Sequence, residues 1–187
     1  MPDLSEFQGM LSPPETELLF RLASQCSNGA IVEIGSWRGK SAVAMAYGVK
    51  TRPEAGRAPI YCIEPHAVYT GFYGGRFDPQ DRGEFYKAML KAECTDVVAL
   101  VNLKSVDAAK AWSLPIGLLF IDGDHSKEGV AADVAAWTPF VITGGIIAFD
   151  DAADTNAGPC AAIARMLKSG GYERVGQTGK IAVLRKL

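Results

Sequence analysis

The chain reads as one open, doubly wound α/β domain with a mostly parallel sheet. Short, nearly continuous apolar runs alternate with segments of helical periodicity, the pattern of parallel strands joined by right-handed crossovers and covered on both faces. Its 187 residues, 48% of them hydrophobic, suffice for one sizeable core. The C-terminal stretch YERVGQTGKIAVLRK breaks the alternation with two strand-like runs around a glycine-bearing turn, which predicts a terminal antiparallel hairpin.

Each element has a local reason. Residues 1–28 form an N-terminal helical segment: Ser12 can cap, Pro13 and Pro14 suit a first turn, and Glu15 completes a capping box. Leu18, Leu19, Leu22, Ala23 and Cys26 follow at helical spacing, and Asn28-Gly29 stops the helix. AIVEIG is a buried strand, and a helix spans Lys40 to Val49. RPEAGRAP is a loop, and IYCIEP a second strand. Residues 66–83, rich in glycine, aromatics and charge, read as a long surface loop. Phe85, Met89 and Ala92 mark a helix face, VVALV a third strand, Ser105 to Trp112 a short helix and IGLLFID a fourth strand. Val130, Val134 and Trp137 mark the next helix. Gly144-Gly145 turns the chain into a fifth strand, IIAFDD, and the helix holding Ile163, Met166 and Leu167 ends at Gly170-Gly171.

A net charge of -2 favours neither nucleic acid nor an anionic membrane as partner. No apolar run reaches spanning length and the first residues lack a leader pattern, so the expectation is a cytoplasmic protein with no membrane association. Cys26, Cys62, Cys94 and Cys160 are scattered without zinc-ligand spacing and read as reduced, buried thiols.

The stretch VEIGSWRGKSA ends in Gly-Lys-Ser, as a phosphate-binding loop does. That loop needs four residues between its first glycine and the Gly-Lys. Here only Ser36, Trp37 and Arg38 separate Gly35 from Gly39, and Glu33 would face an anion. The dinucleotide pattern fails too, because Trp37 stands where a second glycine would let a pyrophosphate approach. A plain strand-to-helix turn is the alternative. Glu64, at the carboxyl end of the second strand, sits where ligands bind in open α/β sheets and can accept hydrogen bonds from both hydroxyls of a ribose. A nucleoside without phosphates, carrying a positive or zwitterionic group, fits both features, and S-adenosylmethionine is such a molecule.

Asp122 and Asp124 end the fourth strand, two apart and therefore on one face, while Asp150 and Asp151 end the fifth. If the two strands are neighbours, four carboxylates meet at one rim and repel one another unless protons or a cation neutralise them. Oxygen-only ligands suit a hard cation such as magnesium. The competing reading makes these residues caps of the following helices, with Asp124 or Ser126 capping the one that holds Val130.

The motifs IDGDH and GGIIAFDD resemble those of the class I S-adenosylmethionine-dependent methyltransferases. More closely, the chain is similar to small-molecule O-methyltransferases with IDGDH followed by a Gly-Gly strand ending in His-Asp or Asp-Asp. The resemblance runs from about Ala30 to Leu187 and implies the sheet order 3-2-1-4-5-7-6. It implies that Glu33, Gly35, Ser36 and Gly39 line the methionine end of the cofactor, with Trp37 packed under the loop and Ser41 and Asp122 alongside. Glu64 would take the ribose, and Ser105 and Val106 would lie near the adenine. Asp122, Asp150 and Asp151 match magnesium ligands, Asp124 matches a general base of sugar-methylating members, and His125 could orient it or touch substrate.

The expected activity is metal-dependent O-methylation of a small hydroxylated molecule. Residues 66–83, with Tyr69, Phe72, Tyr73, Arg76 and Phe77, are a candidate lid, the alternative being a disordered surface loop. A covering partner subunit in a homo-oligomer stays open. Two rivals are a non-catalytic cofactor-binding module and a nicotinamide-dependent reductase. The missing glycine and the lack of a Tyr-x-x-x-Lys pair disfavour the reductase.

Overall fold

The computed structural model describes residues 2–187. Helix α1 (Pro13–Gln25) begins as its capping box requires, with the Glu15 carboxylate accepting from the Ser12 N–H at 2.7 Å. Then follow β1 (Ala30–Ile34), α2 (Lys40–Lys50), β2 (Ile60–Ile63), the short strands β3 (Tyr69–Thr70) and β4 (Arg76–Phe77), and α3 (Asp81–Lys91). The rest comprises β5 (Val98–Val101), α4 (Ser105–Lys110), β6 (Ile116–Ile121), α5 (Lys127–Trp137), β7 (Val141–Phe149), α6 (Gly158–Lys168), β8 (Tyr172–Thr178) and β9 (Ile181–Lys186).

Seven strands form one sheet in the order β5-β2-β1-β6-β7-β9-β8. Without the two-residue strands β3 and β4, which pair only with each other, this is the expected order 3-2-1-4-5-7-6. The five strands from β5 to β7 are parallel, and β9 joins β7 and β8 antiparallel. Alternate strand residues feed two cores, as a period of two demands. Ile31, Ile60 and Phe120 pack under α1, α2 and α3, whereas Val32, Ile63 and Ile121 pack under α4, α5 and α6.

Four local readings change. From Pro2 to Ser12 the chain is not helical, yet Leu4, Phe7 and Leu11 are buried in the core. The segment at 66–83 carries the β3–β4 hairpin and the start of α3 in place of a featureless loop. The helix starting at Ser105 ends at Lys110, short of Trp112. Finally, Gly144 and Gly145 lie inside β7 and not before it. Opposite Ile116 and Leu118 of β6 stand Val141 and Ile146, so the glycines bulge out of the ladder, with Gly144 at φ 79°. A glycine pair at a bulge and one at a turn look alike in sequence, because both need the same backbone freedom.

Candidate active site at the carboxyl edge of the sheet

The sheet order reverses between β1 and β6, and the backbones of the two strand ends nearly touch there. Asp122 N–H donates to the Ile34 carbonyl at 2.8 Å, and a Cβ on Gly35 would stand 2.2 Å from the Asp122 carbonyl oxygen. With φ at 84°, position 35 demands glycine on two counts. The loop then passes through Trp37, itself at φ 41°, and closes with the Gly39 N–H donating to the Ser36 carbonyl at 2.7 Å.

Two glutamates face this loop. The Glu64 carboxylate accepts from the Trp37 N–H at 3.2 Å and from the His66 N–H at 3.0 Å. His66, buried and at φ 44°, sets its Nε2 2.8 Å from the Trp37 carbonyl, and Asn102 donates to the Glu64 carbonyl at 2.8 Å. Glu64 is thus fixed from both sides before any ligand arrives. Glu33 is fully buried; burial pushes its carboxyl up to about 7 against hydrogen bonds from Ser41 and Cys62, with the Glu64 charge adding to the rise. Glu33 Oε1, Ser36 Oγ and Trp37 Nε1 are buried without a partner among the described residues. Unpaired buried polar atoms are costly, and three around one loop mark a place for a polar ligand.

Across the switch point lies the acidic rim. Asp122, His125 and Asp150 can each set one ligand atom within 4.8 Å of the others. Asp150 is 2% exposed and its Oδ1 is unpartnered. Burial and then the Asp150 charge hold the Asp122 carboxyl well above the usual carboxylate range. His125 Nε2 lies 3.7 Å from Asp122 Oδ1 and 3.5 Å from Asp151 Oδ2, so the imidazole bridges both strand ends. Asp151 adopts φ 50°, a left-handed conformation that turns the chain away just after the rim.

Asp124 sits differently. Ser126 donates to it from its N–H at 2.9 Å and from its hydroxyl at 2.8 Å, and Ser126 in turn caps α5 by accepting from the Gly129 N–H at 3.0 Å. Burial opposes ionisation of Asp124, but these bonds and one from Tyr69 hold its carboxyl below the usual range. Of the two capping candidates, Ser126 is the cap, and Asp124 braces it from before the helix. Ser105 is also engaged internally: its hydroxyl donates to the buried Asp133 and accepts from Trp137 Nε1 at 2.8 Å. Neighbouring Val106 is exposed.

One feature beside the rim gave no signal in sequence, and a second lies in the expected lid segment. Lys180, at the start of β9, sets its ammonium 2.6 Å from Asp150 Oδ2 and 3.2 Å from Asp151 Oδ1. The β3–β4 hairpin leans over the rim. Tyr73 donates to Asp154 at 3.1 Å, its ring lies 5.8 Å from the His125 ring, and burial with the Asp151 and Asp154 charges pushes its phenol up to about 12. On the other side, Phe77 packs edge-on against Trp37 at 6.0 Å.

A sequence model described as a methyltransferase domain matches residues 32–152, from the second residue of β1 to just past Asp151. The chain belongs to that methyltransferase family. Solved structures share the fold. The O-methyltransferase NovP aligns with a TM-score of 0.74 at 14% identity, over 95% of this chain and 81% of its own. The calicheamicin methyltransferase CalS11 aligns at 0.72 and 18%, over 91% and 76%. TomG from Streptomyces achromogenes, an O-methyltransferase solved with S-adenosylmethionine, aligns at 0.69 and 15%, over 95% and 81%. The chain is therefore a methyltransferase, with a fold that it shares with solved O-methyltransferases, and the reductase alternative falls away. No helix among the described residues is long and apolar enough to cross a membrane.

Proposed function

We propose that this methyltransferase transfers the methyl group to a hydroxyl oxygen of a small, polyhydroxylated acceptor held at the Asp122–Asp150 rim, with a hard divalent cation such as magnesium. The observation that carries the reading is the buried, unpartnered Asp150 Oδ1 beside Asp122 and His125, next to the glycine loop. A carboxylate oxygen stripped of water and left without a donor fits a cation. Relatives of the fold described as O-methyltransferases support the choice of oxygen as acceptor.

Glu64, pre-set by two backbone N–H groups, accepts from the ribose hydroxyls. Glu33, Ser36 and Gly35 meet the methionine end, where the unpartnered Glu33 Oε1 and Ser36 Oγ stand. The cation, when bound, lowers the pKa of an acceptor hydroxyl and fixes two adjacent hydroxyls in place. Asp122, His125 and Asp150 are the residues whose ligand atoms already stand together, and Asp151, the other expected ligand, would have to turn in from its contacts with Lys180 and His125. Asp151 is the better third ligand for a hard ion and imidazole the poorer one. His125 is then free to accept the hydroxyl proton at Nε2, between Asp122 and Asp151. Asp124 was the expected base; its hydrogen bonds to Ser126 and Tyr69 lower its basicity, so its role here is to shape the turn that aims His125. The β3–β4 hairpin acts as the lid, with Tyr69 and Tyr73 lying over the acceptor side.

The test is a screen of catechols and sugar diols with S-adenosylmethionine, scored by S-adenosylhomocysteine release with magnesium or with EDTA. Release from a vicinal diol that EDTA abolishes is expected. Turnover undiminished in EDTA removes the cation from the mechanism, and acceptors that react only at nitrogen overturn the assignment to oxygen.

A further inference from the structure

Lys180 is the one ammonium at the acidic rim among the described residues; it comes from outside the β6 and β7 ends and is held on several sides. Its N–H donates to Glu15 Oε1 at 2.9 Å, and its carbonyl accepts from the Ala152 N–H at 2.9 Å. Glu15 is 4% exposed and is itself fixed by the Ser12 N–H and hydroxyl at the start of α1. Gly179, at φ 54°, lies so near that a Cβ would meet Glu15 Oε1 at 2.3 Å. The turn before β9 is thus clamped between α1 and the segment after β7, and the clamp aims one ammonium at Asp150 and Asp151. That ammonium is mostly buried, with 27% of the side chain exposed.

Resting on the metal-assisted reading of this rim, we propose that Lys180 is the resident cation of the Asp122–Asp150–Asp151 cluster, and that a divalent ion binds there by displacing its ammonium. The reason is electrostatic. Three carboxylates at one rim need positive charge to stay together, and one buried ammonium shared by two of them supplies part of it. An ion on Asp150 Oδ1 would stand within a few ångströms of the ammonium on Oδ2 of the same carboxylate. Two cations at that distance, away from bulk water, repel by several-fold more than they would at an open surface. Asp151 Oδ1 is likewise engaged while Lys180 stays. Lysine has a flexible four-carbon stem, so the ammonium can swing to solvent while its clamped backbone keeps the turn in place. The protein therefore keeps an ordered rim between metal-loading events, at a cost in metal affinity.

Manganese(II), followed by its free-ion EPR signal, is the probe. Titrations compare the wild type with Lys180→Met and Lys180→Arg, with S-adenosylhomocysteine calorimetry on each protein as the check of folding and of the cofactor site. Lys180→Met is expected to bind manganese on the order of tenfold tighter than wild type. Lys180→Arg, which keeps the charge, is expected to bind no tighter than wild type. A second measurement uses the unaltered protein: acetylation of Lys180 by an amine-reactive ester, mapped by peptide mass spectrometry, should speed up when manganese is added. Equal manganese affinity for wild type and Lys180→Met, or Lys180 acetylation indifferent to manganese, overturns the displacement. Failure of all three proteins to bind manganese, with S-adenosylhomocysteine still bound, overturns both the displacement and the cation in the proposed mechanism.

Discussion

Glu33 and Glu64, on the β1–β2 side of the sheet edge, are held by partners from their own βαβ unit: Ser41, Cys62, and the N–H groups of Trp37 and His66. Asp150 and Asp151, on the β7 side, are held by a lysine from the C-terminal hairpin that is anchored on the first helix. The first half is closed by backbone geometry, with glycines where a side chain cannot stand. The second is closed by charges brought together from three distant parts of the chain. A site built from local backbone should be brittle to added bulk and indifferent to distant changes. One built from long-range charge should tolerate bulk and respond to the removal of single charges.

The largest effect should come from bulk at the meeting of the two halves. Gly35→Ala places a Cβ 2.2 Å from the Asp122 carbonyl oxygen, at a φ of 84° that alanine resists. The strand ends must part, so urea unfolding should show a loss of about 3 kcal/mol or more, with S-adenosylhomocysteine binding lost as well. A loss under about 1 kcal/mol would mean that the β1–β6 junction yields easily and that its rigidity does not distinguish the cofactor half.

This difference also decides what the sequence could reveal. The fold was legible because strand and helix signals are local: AIVEIG, IYCIEP and IGLLFID each stand alone as buried strands. Glu64 and the Asp122/Asp150 convergence were legible because strand ends in a parallel sheet share one edge. Lys180 was not, since a lysine directly after the glycine of a hairpin turn reads as solvated surface, and only the order β7-β9-β8 brings it to the rim. Glu15 was read as half of a capping box, which it is. Its other oxygen grips Lys180 across 165 residues of chain, and no local pattern encodes that. The partners of Asp124 were hidden for a related reason. Spacing of two puts it on the face of Asp122, but Ser126, two residues further on, competes for it locally.

The next effect reads burial in the cofactor half. Glu33 rises from an ordinary value of 4.5 to about 7 because burial disfavours its charge. A raised carboxyl contributes stability while it is protonated, below about pH 4.5, and that contribution is lost as pH climbs through about 7. Glu33→Gln keeps the shape and removes the titration. Its stability relative to wild type should therefore improve by about 2–3 kcal/mol between pH 4.5 and pH 8, measured by urea unfolding without ligand. A difference independent of pH would show that Glu33 stays charged and is paired more fully than its unpartnered Oε1 suggests.

The smallest effect concerns Asp124, and it tests whether proximity to the charged rim confers a chemical role. Asp124→Asn keeps one acceptor oxygen for the Ser126 N–H and loses the bond from the Ser126 hydroxyl, so the turn before α5 should survive with a loss of about 0.5–1.5 kcal/mol. If the residue only shapes that turn, methyl transfer should stay within about fivefold of wild type, the scale of a perturbation below about 1 kcal/mol in the transition state. His125→Gln, by contrast, removes the imidazole nitrogen that stands between Asp122 and Asp151. Its turnover should fall by about 10²–10⁴, the usual share of a general base, with cofactor affinity unchanged by calorimetry. The two variants exchange outcomes if Asp124 is the base. A drop of about a hundredfold in Asp124→Asn, beside near-normal turnover in His125→Gln, would return the proton to the carboxylate. Ser126 and Tyr69 would then have to release it in the reacting complex, a rearrangement that the bonds to Asp124 in the ligand-free protein oppose.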